Sequence, residues 1–273
     1  MKIVISENQY KKLFKEEKEQ KVLRIPSLKL FSGDWDLLQK FLKHRGNPPY
    51  SIGGDLDLRE TQIESLGNLQ SVGGDLSLEG TPIKSLGNLT SVGGDLELYE
   101  TSIESLGNLT SVGGDLDLYD TPLASLGNLT SVGENLDLRK TQIESLGNLQ
   151  SVGGYLDLRE TQIKSLGNLT SVGGYLNLRD SPIESLGNLQ FVGGNLDLSH
   201  TKIESLDNLE SVGGDLDLGG TPIRKLNDLK YVGGDIDLRS TPLGEFLKEQ
   251  LPHEVEKEFR KYINVQGHVF YRS

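Results

Sequence analysis

Ser71-Val72-Gly73-Gly74-Asp75-Leu76-Ser77-Leu78-Glu79-Gly80-Thr81-Pro82-Ile83-Lys84-Ser85-Leu86-Gly87-Asn88-Leu89-Thr90 is one unit of a pattern that returns every twenty residues. Its Gly-Gly phrase, or a one-residue variant, stands at 53, 73, 93, 113, 133, 153, 173, 193, 213 and 233, without insertion or deletion. A strict period of this length marks a solenoid, in which each unit is one coil stacked on the last. Within the unit, Leu76 and Leu78 alternate with Asp75, Ser77 and Glu79, the period-two pattern of a strand buried on one face. Ile83, Leu86 and Leu89 recur at every third residue, which predicts a short 3₁₀-like turn on the opposite side. Gly73-Gly74 is expected to turn the chain into the strand, and the proline at 82, 122, 182, 222 and 242 falls in the connecting arc, where no ladder bond is lost.

The inward set of such a coil is Val72, Leu76, Leu78, Ile83, Leu86 and Leu89. Their burial cannot offset the conformational entropy of ordering twenty backbones, so a coil folds only against its neighbours. The expected architecture is therefore an α/β repeat solenoid of ten twenty-residue coils, with one parallel sheet, 3₁₀ or turn segments opposite it, and a helical cap at each end.

The spacing Leu69-x-x-Val72-x-x-x-Leu76-x-Leu78-x-x-Thr81-x-Ile83-x-x-Leu86-x-x-Leu89 resembles a leucine-rich repeat of the shortest length class. The phrase Leu-x-Asn-Leu-x-x-Val-Gly-Gly-x-Leu is similar to receptor L domains, the solenoids of the insulin-receptor type. The likeness covers residues 51–244. It departs at Thr61, Thr81 and Thr101, where such repeats usually carry Asn or Cys, so a hydroxyl is expected to satisfy the turn's backbone there. The disulfides common in receptor L domains are also missing, because the chain has no cysteine.

Flanking segments read differently. Residues 1–30 form an N-terminal strand, helix or linker, with Ser6-Glu7-Asn8-Gln9 as a capping box and a charged run from Lys15 to Lys21. Met1 to Leu13 resembles the opening of short proteins from marine tailed phages. Residues 31–50 read as a cap: Asp34 can N-cap a helix presenting Trp35, Leu38, Phe41 and Leu42, which Pro48-Pro49 ends. Residues 245–273 read as a second cap, with Leu247, Leu251, Val255 and Phe259 on a helix face, Pro252 tolerable at a helix start, and Ile263 to Tyr271 as a small hairpin or edge strand.

Charge divides the chain. Residues 1–50 hold eleven Lys/Arg against six Asp/Glu, whereas 51–244 hold twelve against twenty-nine, a balance of −17. An acidic body repels phosphate backbones, so nucleic acid is not expected as a partner. The opening residues lack a signal peptide's apolar core and no stretch reaches the length of a membrane span, so a monomeric cytoplasmic protein is expected. Without cysteine there is no thiol catalysis or thiolate zinc site, and His44, His200, His253 and His268 have no metal spacing. The Gly-Gly phrases lack the context of a phosphate loop. Neither enzyme activity nor a cofactor is expected.

Recognition is expected on the outward strand positions, which form three columns. The central one carries Asp57, Glu97, Asp117, Asp137, Asp157, Asp197, Asp217 and Asp237, interrupted by Ser77 and Asn177. Carboxylates stacked about 4.8 Å apart repel unless cations or water screen them. The next column supplies Arg59, Arg139, Arg159, Arg179 and Arg239 with Tyr99 and Tyr119, and the first holds Tyr155 and Tyr175. Tyrosine and arginine dominate interface energetics, so Tyr99, Tyr119, Arg139, Tyr155, Arg159, Tyr175 and Arg179 are the candidate protein-binding patch. A structural or adhesive virion part, and calcium binding along the acidic column, are the rival expectations; a flat row lacks the converging oxygens that calcium requires.

Overall fold

In a computed structural model the chain is described over residues 22–250, 257 and 261–271. It is a parallel β-solenoid in which the ten Gly-Gly phrases delimit nine full turns of twenty residues. Each coil gives one short strand to each of two parallel sheets, of twelve and eleven strands. Ser91–Val92 and Leu96–Glu97 are one such pair, and the Gly-Gly corner joins them. Pairing is in register at twenty residues, Val92 on Val112 and Leu96 on Leu116, so every repeat position becomes a column up the molecule. Val72, Leu76, Leu78, Ile83, Leu86 and Leu89 are all within 1 % of full burial, and the same six columns form one continuous core.

The second sheet corrects the expectation of a single one. The segment after the arc is the expected short 3₁₀-like turn, a single one in each coil. Ser85 bridges Ser105 and Ser125 bridges Ser145 as isolated parallel contacts, and one turn follows, closed by Leu89 N–H to Leu86 O at 3.2 Å. The three-residue spacing of Ile83, Leu86 and Leu89 arises because the chain pivots at Gly87, whose φ is +60°. The corner glycines serve another purpose than conformational freedom. A Cβ on Gly73 would lie 2.3 Å from the carbonyl oxygen of Gly53, so the coils approach too closely for any side chain.

The threonine column does what the turn requires. Each hydroxyl donates to the leucine carbonyl three residues back, as in Thr81 to Leu78 and Thr161 to Leu158, both at 2.7 Å. Ser181 is the exception in this column: its buried hydroxyl has no partner. Threonine's branching at Cβ restricts χ1 and would hold the oxygen on the Leu178 carbonyl. Ser181→Thr is therefore expected to stabilise the chain by about 1 kcal/mol, read as a rise in denaturation midpoint; an unchanged midpoint would contradict this account. The asparagine column links coils too, though mostly through backbone acceptors: Asn208 Nδ2 donates to Gly187 O at 2.8 Å, whereas Asn88 donates to Asn68 Oδ1 at 3.1 Å.

At the N-terminal end Leu23–Ile25 extends the first sheet, pairing with Tyr50–Ile52. Helix Trp35–His44 then covers the first coil with Trp35, Leu38 and Leu42, its N-terminus capped by Asp34 Oδ1 accepting from Leu37 N–H at 2.9 Å. The C-terminal helix begins earlier than expected, at Pro242–Gln250, with Leu247 buried. Asn264–Val265 and Val269–Phe270 do not pair as a hairpin; they are edge strands that add one further rung to each sheet. The expected features at Met1–Lys21, and Leu251, Pro252, Val255 and Phe259, lie outside the described residues.

Candidate recognition face

The acidic column has a local structural reason. Asp117 Oδ1 accepts from Tyr119 N–H at 2.9 Å, Asp197 from Ser199 N–H at 2.9 Å and Asp217 from Gly219 N–H at 2.8 Å. Asp57, Asp137, Asp157 and Asp237 do the same two residues on. The carboxylate thus fixes the turn that leaves the strand, whose next residue takes a left-handed φ, +60° at both Lys140 and Glu160. Repulsion along the column is relieved where arginine follows. Arg139 and Arg159 fork onto Asp137 and Asp157 at 2.5 and 2.7 Å, and Arg139 Nε also lies 3.8 Å from Asp157. The arginine beside Asp57 holds that carboxyl below its ordinary value. Where Gly219 replaces arginine, burial lifts the Asp217 carboxyl, and Asp197 and Asp237 on the flanking coils add to the lift.

The expected patch therefore divides. Arg139, Asp137, Asp157 and Arg159 form one linked ion-pair network, and Arg139 and Lys140 both sit over the Tyr119 ring, 5.1 and 5.0 Å from its centroid. Lys140 also donates to the Tyr119 hydroxyl at 2.7 Å. Tyr99 stands apart: its hydroxyl is bonded to Glu79 and is pushed up to about 12. Arg179 turns to Asp180 at 3.3 Å.

Tyr155 and Tyr175 occupy a position with a different history. In most coils the first column holds Asp or Asn, whose side-chain oxygen accepts the backbone N–H of the next coil's equivalent residue. Asp75 takes Asp95 N–H at 2.9 Å, Asp95 takes Asp115 at 2.8 Å and Asp215 takes Asp235 at 2.8 Å. This ladder was invisible as such in the sequence, where the column reads as outward and free to vary. The tyrosines interrupt it on adjacent coils and leave their rings 40 % and 37 % exposed. Burial, then the carboxylates of Asp197 and Asp157, push the Tyr175 hydroxyl up to about 12; burial and Asp137 raise Tyr155 likewise.

Two further aromatics escaped the sequence reading. Phe191 and Tyr231 replace the outward serine of the first sheet, the residue found at 51, 71, 91, 111, 131, 151, 171 and 211, and both are exposed. Their rings fold back over the corner: a Cβ on Gly193 would lie 3.3 Å from the Phe191 ring, and one on Gly233 3.2 Å from the Tyr231 hydroxyl. The signal was present as a break in an otherwise constant column.

Among the described residues no group of three or more His, Cys, Asp or Glu is placed to hold a metal ion, and no helix is long and apolar enough to cross a membrane. In comparisons with known proteins, no protein-family model and no curated relative matches the chain.

Proposed function

We propose that this solenoid is a non-enzymatic protein-binding module that uses its outward strand face. The observation that carries the reading is the pair Tyr155 and Tyr175, which offer the next coil no ladder acceptor and present half-open rings beside the ordered Arg139–Asp137–Asp157–Arg159 network. Aromatic rings and pre-oriented guanidinium groups give up little conformational entropy when a partner docks. Replacing Tyr155 and Arg159 together by alanine is expected to weaken capture of the native partner at least thirtyfold, the fold-change of about 2 kcal/mol. Quantitative pull-down from the source cells measures this, and equal recovery by parent and variant sinks the reading.

Kinship with leucine-rich repeats and receptor L domains belongs to the same proposal. It is supported by the Leu-x-Asn-Leu-x-x-Val-Gly-Gly-x-Leu phrase, while the second sheet is a departure to be explained. A phage source, with a place in the infected cell's cytoplasm or in the virion, is supported by the opening Met1 to Leu13. Mass spectrometry of purified particles separates those two places.

A further inference from the structure

Four of the seven exposed aromatics among the described residues lie along one corner of the coils. Tyr155, Tyr175, Phe191 and Tyr231 belong to four of the five coils between the corners at 153 and 233, and they flank the Gly-Gly corner from both sheets. The corresponding positions of the earlier coils hold serine on one side of the corner and Asp or Asn on the other. At about 4.8 Å per coil the stripe is roughly 19 Å long, the reach of about six extended residues. Its backbone is already satisfied, since Gly193 and Gly233 donate to Val172 and Val212 of the coils before them. Strand addition is thereby excluded, and side chains must do the binding.

The charge around the stripe selects the partner. Asp197, Asp215, Asp217 and Asp235 stand on the last three of these coils, accept only neutral hydrogen bonds, and form no ion pair among the described residues. Lys230, the cation nearest the corner in sequence, is neutralised by Glu210 at 2.8 Å. Exposed rings in line with carboxylates that have no ion-pair partner, at the Phe191–Tyr231 end of the stripe, favour a cation that can stack as well as pair, which is the chemistry of a guanidinium group.

We infer that the Gly-Gly corner from Tyr155 to Tyr231 is a docking groove for an extended, arginine-bearing segment of a partner protein. Four aromatic departures from the repeat along one corner, with carboxylates lacking an ion-pair partner on its last three coils, carry it. The inference rests on the protein-binding reading above and specifies the partner's chemistry.

The test uses replacements that the other coils already contain: Tyr155→Asn, Tyr175→Asn, Phe191→Ser and Tyr231→Ser, made together in the full chain. Net charge is unchanged, and the asparagines restore ladder acceptors. Fluorescence anisotropy at 150 mM salt would follow a labelled (Arg-Ser)₄ peptide, with (Glu-Ser)₄ and cellohexaose as comparison probes. The parent should bind the arginine peptide at least tenfold more tightly than the fourfold variant and leave the other two probes unbound. Equal affinity in parent and variant would reduce the attraction to general acidity and overturn the inference. Cellohexaose binding that the variant loses would overturn it as well, assigning the rings to a glycan. If the fourfold chain melts lower than the parent, the pair Phe191→Ser and Tyr231→Ser, away from the ladder, should still lose at least threefold. Loss of native capture in the Tyr155/Arg159 variant, with unchanged peptide binding in the revertants, would leave the general reading intact and remove this one.

Discussion

Replacing Gly153 by alanine is expected to destabilise the solenoid by about 3 kcal/mol or more, read as a lowered denaturation midpoint with loss of cooperativity. The new Cβ would lie 1.9 Å from the Gly133 carbonyl oxygen and 2.8 Å from its carbon. These atoms are backbone, clamped by the Gly153 N–H to Val132 O bond at 2.9 Å, and cannot swing aside as a side-chain tip would. Relief would mean opening the stack between two coils in the middle of the molecule, where Leu136, Leu156 and Leu176 are fully buried. Gln266 occupies the equivalent position of the last rung, which has a neighbouring coil on one side only among the described residues. Gly167→Ala is the comparison. That site has a φ of +57° and nothing within 4 Å of an added Cβ, so only the left-handed backbone opposes it, at about 1 kcal/mol. Equal effects at the two sites would mean that backbone freedom, and not close approach, explains the corner.

The contrast between those glycines also shows what the sequence could convey. The inward columns were legible because Leu76 and Leu78 alternate with polar neighbours and recur unchanged, and the cap at Asp34 to Leu42 followed from helical spacing. The second sheet was not legible. Its strands are dipeptides such as Ser91–Val92, too short for any periodicity, and they exist because identical dipeptides stack twenty residues apart. Spacing up the stack predicts a repulsive row for the acidic column, because it places each carboxylate next to its equivalents and says nothing of local donors. The partner of Asp117 is in fact the N–H of Tyr119, two residues away, a local bond that the Asp-Leu-x phrase could have suggested. Within the candidate patch, sequence spacing found Tyr155 and Tyr175. It could not reveal that their column is a hydrogen-bonded ladder, nor that Phe191 and Tyr231 approach the same corner from the other sheet.

Asp207 provides the second large effect, with a pH signature. It stands where Gly87 and Gly187 stand in other coils, in the left-handed region at a φ of +48°, and its carboxylate ties its own coil to the preceding one. Oδ2 accepts from Ser185 Oγ at 2.7 Å, Leu186 N–H at 2.8 Å and Gly187 N–H at 3.2 Å, while Oδ1 accepts from Ser205 Oγ at 2.9 Å. Burial opposes ionisation, but these four donors outweigh it and hold the carboxyl below its ordinary value. A folded pKa below the unfolded one gives stability that is complete above the unfolded pKa, about 3.9, and is lost as pH falls through the folded pKa. Asp207→Ala is accordingly expected to cost about 3 kcal/mol at pH 7. The difference from the parent should shrink below pH 4 towards about 1 kcal/mol, the left-handed backbone cost that alanine retains. Asp207→Asn separates the two contributions, because asparagine tolerates the left-handed backbone and keeps one acceptor oxygen while losing the charge. Its cost should be smaller, about 1–2 kcal/mol at pH 7, and should decrease as pH falls towards the folded pKa. Denaturant titrations of the three proteins at both pH values measure this, and a penalty for Asp207→Asn that is the same at pH 3 and pH 7 would show that the charge contributes nothing. Because each coil is held mainly by its neighbours, the loosened step between Ser185 and Asp207 should also let the coils beyond it exchange amide hydrogens faster than those before it.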